Sequence, residues 1–388
     1  MTVGFLINTC EPFYRGGYER RVWAFARELA RQGHDVRVYT SCPHDEIIDG
    51  VRFVRLGAPR RFFNRRGVRN GMADVIFAFN LLRLLWKLAP GELDVLDVGA
   101  TPFLHLPAAA FVARVKRIPL VLTCHEALLA GLPDYVRERG NRSPVLGKIL
   151  TAVLAGIYRF GMGFVSRRVA VSQRTAAGLE REKFPASAVI EFGLEPESLS
   201  APAPTPRAEP VRFIFCGRLT PIKSVDCAVA ALLSLRAEGE LFHFDIIGEG
   251  SERARLEKMA ASDAITFHGE TSEEAKRALL ARADVFILSS PREGFSIATL
   301  EAMAQGCGAI VVSDPRQPNG ALDFVRDGEQ GLCIEAGLEP MRQALRRLLG
   351  DPALRLRLRG AAWEAARRYQ IETQTQRLLD FYATEKSG

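Results

Sequence analysis

Short apolar runs alternate with segments of helix length along nearly all 388 residues, and the alternation starts afresh after a proline-rich interruption. In the first half, strand signals fall at residues 3–8, 36–40, 51–56, 95–98, 120–123 and 168–171. A glycine loop at Gly16-Gly17 leads into a helical pattern over 19–31, which Gly33-His34 ends. In the second half the runs recur at 212–216, 243–247, 265–268, 285–288 and 309–312. Strands separated by helices in this way pair in parallel through right-handed crossovers. Residues 196–210 hold five prolines and little that packs, which reads as an interdomain linker. The expected fold class is therefore α/β, with two Rossmann-like doubly wound domains at 1–195 and 211–366. A closing helix over 361–384 carries Trp363, Tyr369, Leu378, Leu379 and Tyr382, and its part from 367 to 388 counts as a separate element. In this architecture ligands bind at the carboxyl ends of the strands, here in a cleft between the two sheets.

Composition narrows the class. The length exceeds one ordinary core, and 47% hydrophobic with 25% charged residues fits a soluble globular protein. Seven cysteines are scattered without CxxC spacing or histidine pairing, so reduced thiols in the cytosol are expected, not disulfides or zinc. The apolar start is too short for a signal peptide, and no run of about 18 apolar residues suggests a membrane span. Charge is uneven. Residues 1–200 hold 28 Lys+Arg and 19 Asp+Glu, a net +9, and the remainder holds 24 and 26, a net −2. The excess of cations in the first half points to an anionic partner.

The chemistry concentrates in the second half. Glu293 and Glu301 stand eight residues apart where an apolar strand turns into a helix. A continuous helix of that length would put both carboxylates on one side. The intervening backbone N–H groups at a helix start suit a phosphate or sugar hydroxyls. After the first strand of this half, Gly217-Arg218-Leu219-Thr220-Pro221-Ile222-Lys223 offers a planar fork and a point charge for a diphosphate. Alone, two cations near a helix start are more often solvated surface; the glutamate pair downstream favours a site. Gly248-Glu249-Gly250 lacks the third glycine of a dinucleotide fingerprint, so either a plain turn or close ligand approach fits it. In the first half, Gly16-Gly17 lies at a strand end, and His125 with Glu126 ends another strand. His268 at a strand end reads as structural. Asp94 and Asp97 face opposite sides of a pleat and make a poor metal pair, so no metal is expected.

Residues 50–73 contain seven arginines and no acid, with Arg60, Arg61, Phe62, Phe63, Arg65, Arg66 and Arg69 interleaved before an apolar stretch at 75–87. Residues 140–179 likewise hold six cations and no acid. Arginine and aromatic surface beside an apolar helix describes a membrane or acceptor contact. A solvated basic face is the competing reading, and nucleic acid ranks lowest for lack of a reader module.

With these residues the chain resembles the family-4 retaining glycosyltransferases of GT-B fold. The resemblance spans essentially the whole chain: Gly16-Gly17-Tyr18-Glu19-Arg20, Gly33-His34-Asp35-Val36, Ile118 to Glu126, Val171-Ser172, Gly217 to Lys223, Gly248-Glu249-Gly250 and, most specifically, the Glu293-x7-Glu301 run. The closing helix resembles one that crosses back onto the first domain. The resemblance implies that Arg218 and Lys223 bind a donor diphosphate and stabilise the leaving group in place of a metal. It implies that Glu293 contacts the transferred sugar and Glu301 the ribose. Gly294, Phe295, Ser296 and Ile297 would hold donor oxygens, with Gly248 and Gly250 also against the donor. Gly16 and Gly17 would approach the phosphates, and His125 would orient the sugar. Ser224 stands where the family usually has glycine.

The function expected is transfer of a hexose from a UDP- or GDP-sugar to a glycan, glycolipid or lipid-linked acceptor at the cytoplasmic membrane face, with retention and without metal. The protein would be cytoplasmic or peripheral on that face. A soluble transferase with a small diffusible acceptor is the alternative. A non-catalytic transferase-like partner is disfavoured by retention of all four charged groups, and a nicotinamide oxidoreductase by the missing fingerprint.

Overall fold

A computed structural model describes residues 1–14, 16–57, 71–100, 103–138, 144–207, 209–260 and 262–384. The expected membrane or acceptor contact at Arg60, Arg61, Phe62, Phe63, Arg65, Arg66 and Arg69 lies outside them. The chain forms two compact units, one of Met1–Gly193 with Ile371–Gly388 and one of Leu194–Gln370.

The first unit is built on eight strands: β1 (Thr2–Leu6), β2 (Asp35–Thr40), β3 (Glu46–Ile48), β4 (Val51–Arg55), β5 (Val95–Gly99), β6 (Leu120–Cys124), β7 (Arg167–Ala170) and β8 (Ala188–Val189). They lie in the order β3-β4-β2-β1-β5-β6-β7-β8, parallel except for the β3–β4 pair. Its helices are α1 (Gly17–Arg31), α2 (Gly71–Leu81), α3 (Leu84–Lys87), α4 (Leu106–Lys116), α5 (Leu128–Glu138), α6 (Pro144–Gly163) and α7 (Gln173–Arg181). Central strands read as unbroken apolar runs because helices cover both faces of a parallel sheet.

The second unit has β9 (Val211–Cys216), β10 (Phe242–Ile247), β11 (Ile265–Gly269), β12 (Val285–Leu288), β13 (Gly308–Ser313) and β14 (Gly331–Glu335), all parallel in the order β11-β10-β9-β12-β13-β14. Its helices are α8 (Pro196–Leu199), α9 (Val225–Ala237), α10 (Arg253–Met259), α11 (Glu273–Arg282), α12 (Ile297–Ala304), α13 (Leu338–Gly350) and α14 (Pro352–Ala366). Phe213, Phe215, Phe244, Leu232, Ile287 and Leu345 are buried together in its core. Strand order reverses between β1 and β5 in one sheet and between β9 and β12 in the other, and ligands of doubly wound sheets bind at such points. The two-unit α/β class stands as expected.

Four expectations change. The proline-rich stretch is not a free linker: it belongs to the second unit and is strapped along α14. The Arg359 guanidinium donates to the Thr205 carbonyl at 2.9 Å, and Trp363 Nε1 to that of Ala201 at 2.9 Å. Prolines that cannot join a ladder still offer carbonyls, and α14 supplies the donors. The closing segment is two helices, α14 and α15 (Ile371–Ala383), broken at 367–370. Trp363 and Tyr369 thus serve the second unit, while Leu378, Leu379 and Tyr382 are buried in the first. The short strands β3 and β8 and the edge strand β14 carry too little periodicity to be seen beforehand. Finally, Val145–Gly163 of α6 is long and apolar enough by length and composition to cross a membrane. Gly147, Lys148, Gly156 and Arg159 interrupt its apolar run and hide it in the sequence.

Candidate functional site

At the switch point of the second sheet, β9 ends at Cys216 and the chain turns through Gly217 and Arg218 into a 3-10 turn at Pro221–Lys223. Beside it, β12 ends at Leu288 and runs through Ser289 and Ser290 to Glu293. Lys223 Nζ lies 2.5 Å from Glu293 Oε1, and Ser290 Oγ donates to the same oxygen. Ser289 Oγ donates to the Lys223 carbonyl at 2.7 Å, tying the two strand ends together. Lys223 and Glu293 are both partly buried, so the pair is screened less than a surface bridge. Arg218 is exposed; its carbonyl accepts from Thr220 N–H at 3.0 Å, while its guanidinium has no hydrogen bond or ion pair among the described residues. The cluster thus offers a free guanidinium, an ammonium and a positioned carboxylate within one loop system.

The glutamate pair differs from expectation. Helix α12 begins only at Ile297, so Glu293 sits four residues ahead of it and bridges Asn319 on the neighbouring loop. The Glu293 N–H donates to the Pro318 carbonyl at 3.2 Å, and Gly320 N–H to that of Glu293 at 2.8 Å. Asn319 is buried, and its Nδ2 donates to the carbonyls of Ser290 (3.1 Å) and Val312 (2.9 Å). Gly320 is required because a Cβ there would meet the Gly294 carbonyl oxygen at 2.0 Å. Glu301 lies inside α12, buried, with Oε2 2.9 Å from Lys276 Nζ of α11. The two carboxylates are therefore engaged by different cations and do not share one helix face.

Gly294, Phe295 and Ser296 form the approach to α12. Phe295 is buried against Phe324 and Tyr369, and Ser296 takes φ +68° as it caps the helix, its hydroxyl 2.7 Å from that of Thr299. Ile297 opens the helix, where the first N–H groups lack intrahelical partners. Gly248 and Gly250 serve their neighbours: a Cβ on Gly248 would meet the Gly217 oxygen at 1.9 Å, and one on Gly250 the Leu219 oxygen at 2.1 Å. Between them Leu219 N–H donates to the Glu249 carbonyl at 2.7 Å. Glycine there holds the loop after β10 against the Arg218 loop, which is a close backbone approach, although to protein. Ser224, in the family's glycine position, adopts φ +48°.

The first unit gathers a second cluster at its own switch point. Gly17 opens α1, and a Cβ there would meet nothing within 4 Å, so the space above it is open. At Gly16 the space is filled by the Glu19 carboxylate, which also accepts from Thr9 Oγ1 at 2.8 Å. Tyr18 reaches over Gly99 at the end of β5 and packs on His125, ring centroids 4.0 Å apart. His125 Nε2 is buried with no hydrogen-bond partner among the described residues. Burial, then the nearby Arg21 charge, hold this imidazole well below its ordinary pKa, so it is neutral at pH 7. Arg21 is buried, donates to the Ile190 carbonyl at 2.7 Å, and is lowered by burial to about 10, still a cation. Asp97 accepts from Thr123 Oγ1 (2.7 Å) and Tyr382 Oη (2.5 Å), and burial pushes its carboxyl up to about 6. Asp94 precedes β5 and accepts from the Thr2 N–H at 2.8 Å. Among the described residues, no group of three or more His, Cys, Asp or Glu side chains is placed to hold a metal ion. His268 bonds Asp245 at 2.7 Å.

Sequence reasoning missed Ser290, Asn319 and Lys276, and named Tyr18 only as part of a motif without a role. The Ser289-Ser290 pair at a strand end and the Pro318-Asn319-Gly320 turn were the available signals for the first two. Nothing local marks Lys276, whose partner is distant in sequence.

Comparison with known proteins follows the same division. Residues 15–198 match the family described as Glycosyltransferase Family 4, and residues 210–351 match Glycosyl transferases group 1. The chain is 28% identical over 402 residues to a glycogen synthase of Mycobacterium tuberculosis, covering 97% of this chain and 93% of that protein. It is 34% identical over 143 residues to a GDP-mannose-dependent alpha-(1-6)-phosphatidylinositol dimannoside mannosyltransferase of the same organism, covering 37% and 36%. Sucrose-phosphate synthase from Thermosynechococcus elongatus superposes with a TM-score of 0.79 at 19% identity, covering 100% of this chain and 99% of that one.

Proposed function

From the premise that this chain belongs to glycosyltransferase family 4, with the GT-B fold, we propose that it moves a hexose from a UDP- or GDP-sugar to a glycan, glycolipid or lipid-linked acceptor. The transfer retains anomeric configuration, needs no metal, and takes place at the cytoplasmic face of a membrane. The observation that carries the reading is the Lys223–Glu293 contact at the β9/β12 switch point, with the exposed Arg218 in the loop that leads to Lys223.

Arg218 and Lys223 face the donor diphosphate and neutralise the charge that grows on it as the bond to the sugar breaks, the task a metal performs elsewhere. Glu293, held by Ser290 and Lys223, accepts hydrogen bonds from the sugar hydroxyls and fixes the ring. The acceptor hydroxyl oxygen bonds to the anomeric carbon on the face from which the phosphate leaves. Its proton passes to the departing phosphate oxygen, so no protein base is required. Glu293 acts as a positioning group and forms no covalent glycosyl intermediate, unlike a retaining glycosidase carboxylate.

The GDP-mannose-dependent relative, whose name specifies a phosphatidylinositol dimannoside, supports a lipid-side acceptor. The test is release of UDP or GDP from a donor panel in the presence of a chelator, with the product anomer assigned by NMR. Turnover with retention is expected. Strict dependence on a divalent metal, or inversion, would overturn the mechanism.

A further inference from the structure

Among the described residues fifteen large apolar side chains are exposed, and twelve of them lie on α2, α3, α4 and α6 or directly after α6. These helices are neighbours, with α2 and α3 packed on α4 and α4 on α6, so the twelve form one surface of the first unit and not a scatter. On α6 the exposed residues Val145, Ile149, Val153 and Phe160 recur at helical spacing along one side. Tyr158 and Met162, on the other side of α6, are fully buried in the core. Phe111 of α4 extends the surface, and Trp86 of α3 is 85% exposed at its margin.

The charged side chains of α3, α4 and α6 have one sign, although Lys87 Nζ at the margin lies 4.0 Å from Asp45 Oδ2. Helices α3, α4 and α6 carry five cations (Lys87, Arg114, Lys116, Lys148 and Arg159) and no acid. The acid of α2, Asp74, is buried and accepts from Asn8 Nδ2 at 3.2 Å. Apolar area of this extent on a folded unit marks an interaction face. A second copy of the chain is a poor occupant, since two-fold pairing would set the cations of α4 and α6 against themselves. An anionic lipid surface answers both features, taking the apolar side chains below the headgroups and the cations among them.

We infer that the face formed by α2, α3, α4 and α6 of the first unit docks on an anionic bilayer, with α6 lying in the plane of the interface. Although long enough to span, α6 cannot do so in the folded unit, because Tyr158 and Met162 anchor it to the core. The inference deepens the proposed lipid-side transfer and rests on that reading for its purpose.

The full chain is to be sedimented with vesicles of phosphatidylcholine alone and of phosphatidylcholine with phosphatidylglycerol, at low and high salt. Wild type is expected to pellet with the anionic vesicles only, with a blue shift of tryptophan emission that Trp86→Phe removes. Val153→Glu with Phe160→Glu is expected to weaken vesicle binding about tenfold or more, with unchanged melting temperature and unchanged nucleotide release from soluble donor. Should that variant fail to fold, Lys148→Ala with Arg159→Ala must still weaken binding and flatten its salt dependence. Absence of binding to anionic vesicles, or equal binding by both variants, overturns the inference. So does a dimer in sedimentation velocity that Val153→Glu with Phe160→Glu dissolves, which would assign the face to a second copy. Nucleotide release that persists without vesicle binding sinks the docking surface and leaves the transferase reading; vesicle binding without release does the reverse.

Discussion

At the scale of single residues, the Lys223–Glu293 contact carries the most consequence. Lys223→Ala removes the ammonium proposed to face the leaving group and frees Glu293 from its cation; turnover should fall by roughly two to three orders of magnitude, the loss typical of one preorganised donor. Steady-state nucleotide release checks this, and a loss below tenfold would contradict the assignment. Asp97 and His125 lie in one cluster yet respond to pH with opposite signs. The Asp97 carboxyl is raised to about 6 by burial, so the folded state holds its proton more tightly than the unfolded state. Its contribution is complete below about pH 4, an ordinary aspartate's range, and is lost as pH rises towards 6. The stability of wild type minus that of Asp97→Asn should therefore drop by up to about 3 kcal/mol across this window and stay flat above it. His125 is depressed, so its contribution is present above about pH 6.5 and lost as pH falls. Urea denaturation at several pH values separates the two, and a pH-independent Asp97→Asn difference would refute the burial argument.

At the scale of elements, the central strands were legible because parallel strands buried on both faces must be continuous apolar runs. The loops proposed to bind the donor were picked out for the same kind of reason, since Gly217, Lys223 and Glu293 follow strand ends where doubly wound sheets place ligands. What was not legible is long-range. The sequence suggests helix between Glu293 and Glu301, but Asn319 and Gly320 draw residues 293–296 into a bridge instead, and Lys276 claims Glu301. The Lys276–Glu301 pair is buried between α11 and α12. Lys276→Met should cost roughly 3–5 kcal/mol, and adding Glu301→Leu should restore most of it. Denaturant midpoints test this; additive losses would mean that the pair is not coupled. Ser224 departs from the family's glycine while keeping the backbone that glycine favours. Ser224→Gly should stabilise the protein by about 1 kcal/mol by relieving that conformation, and an unchanged midpoint would contradict it.

At the scale of the molecule, the chain returns to its first unit through α15. Arg377 bonds Glu191 at 3.0 Å, Arg167 stacks on Phe381 at 4.1 Å, and Tyr382 bonds Asp97. Ending the chain at residue 370 would strip Ile371, Leu378, Leu379 and Tyr382 from the core at roughly 2 kcal/mol each. The truncated protein should be insoluble or molten by near-UV circular dichroism. Asymmetry of charge also acts at this scale, with the basic half carrying the apolar helices and the near-neutral half carrying Lys223 and Glu293. The central claim is tested most directly by calorimetric titration of UDP-glucose and GDP-mannose in chelator, on wild type and on Arg218→Ala with Lys223→Ala. One of the two donors should bind wild type without metal and bind the variant about a hundredfold more weakly. Equal affinity for both proteins, or binding that appears only when a divalent cation is restored, would contradict the account.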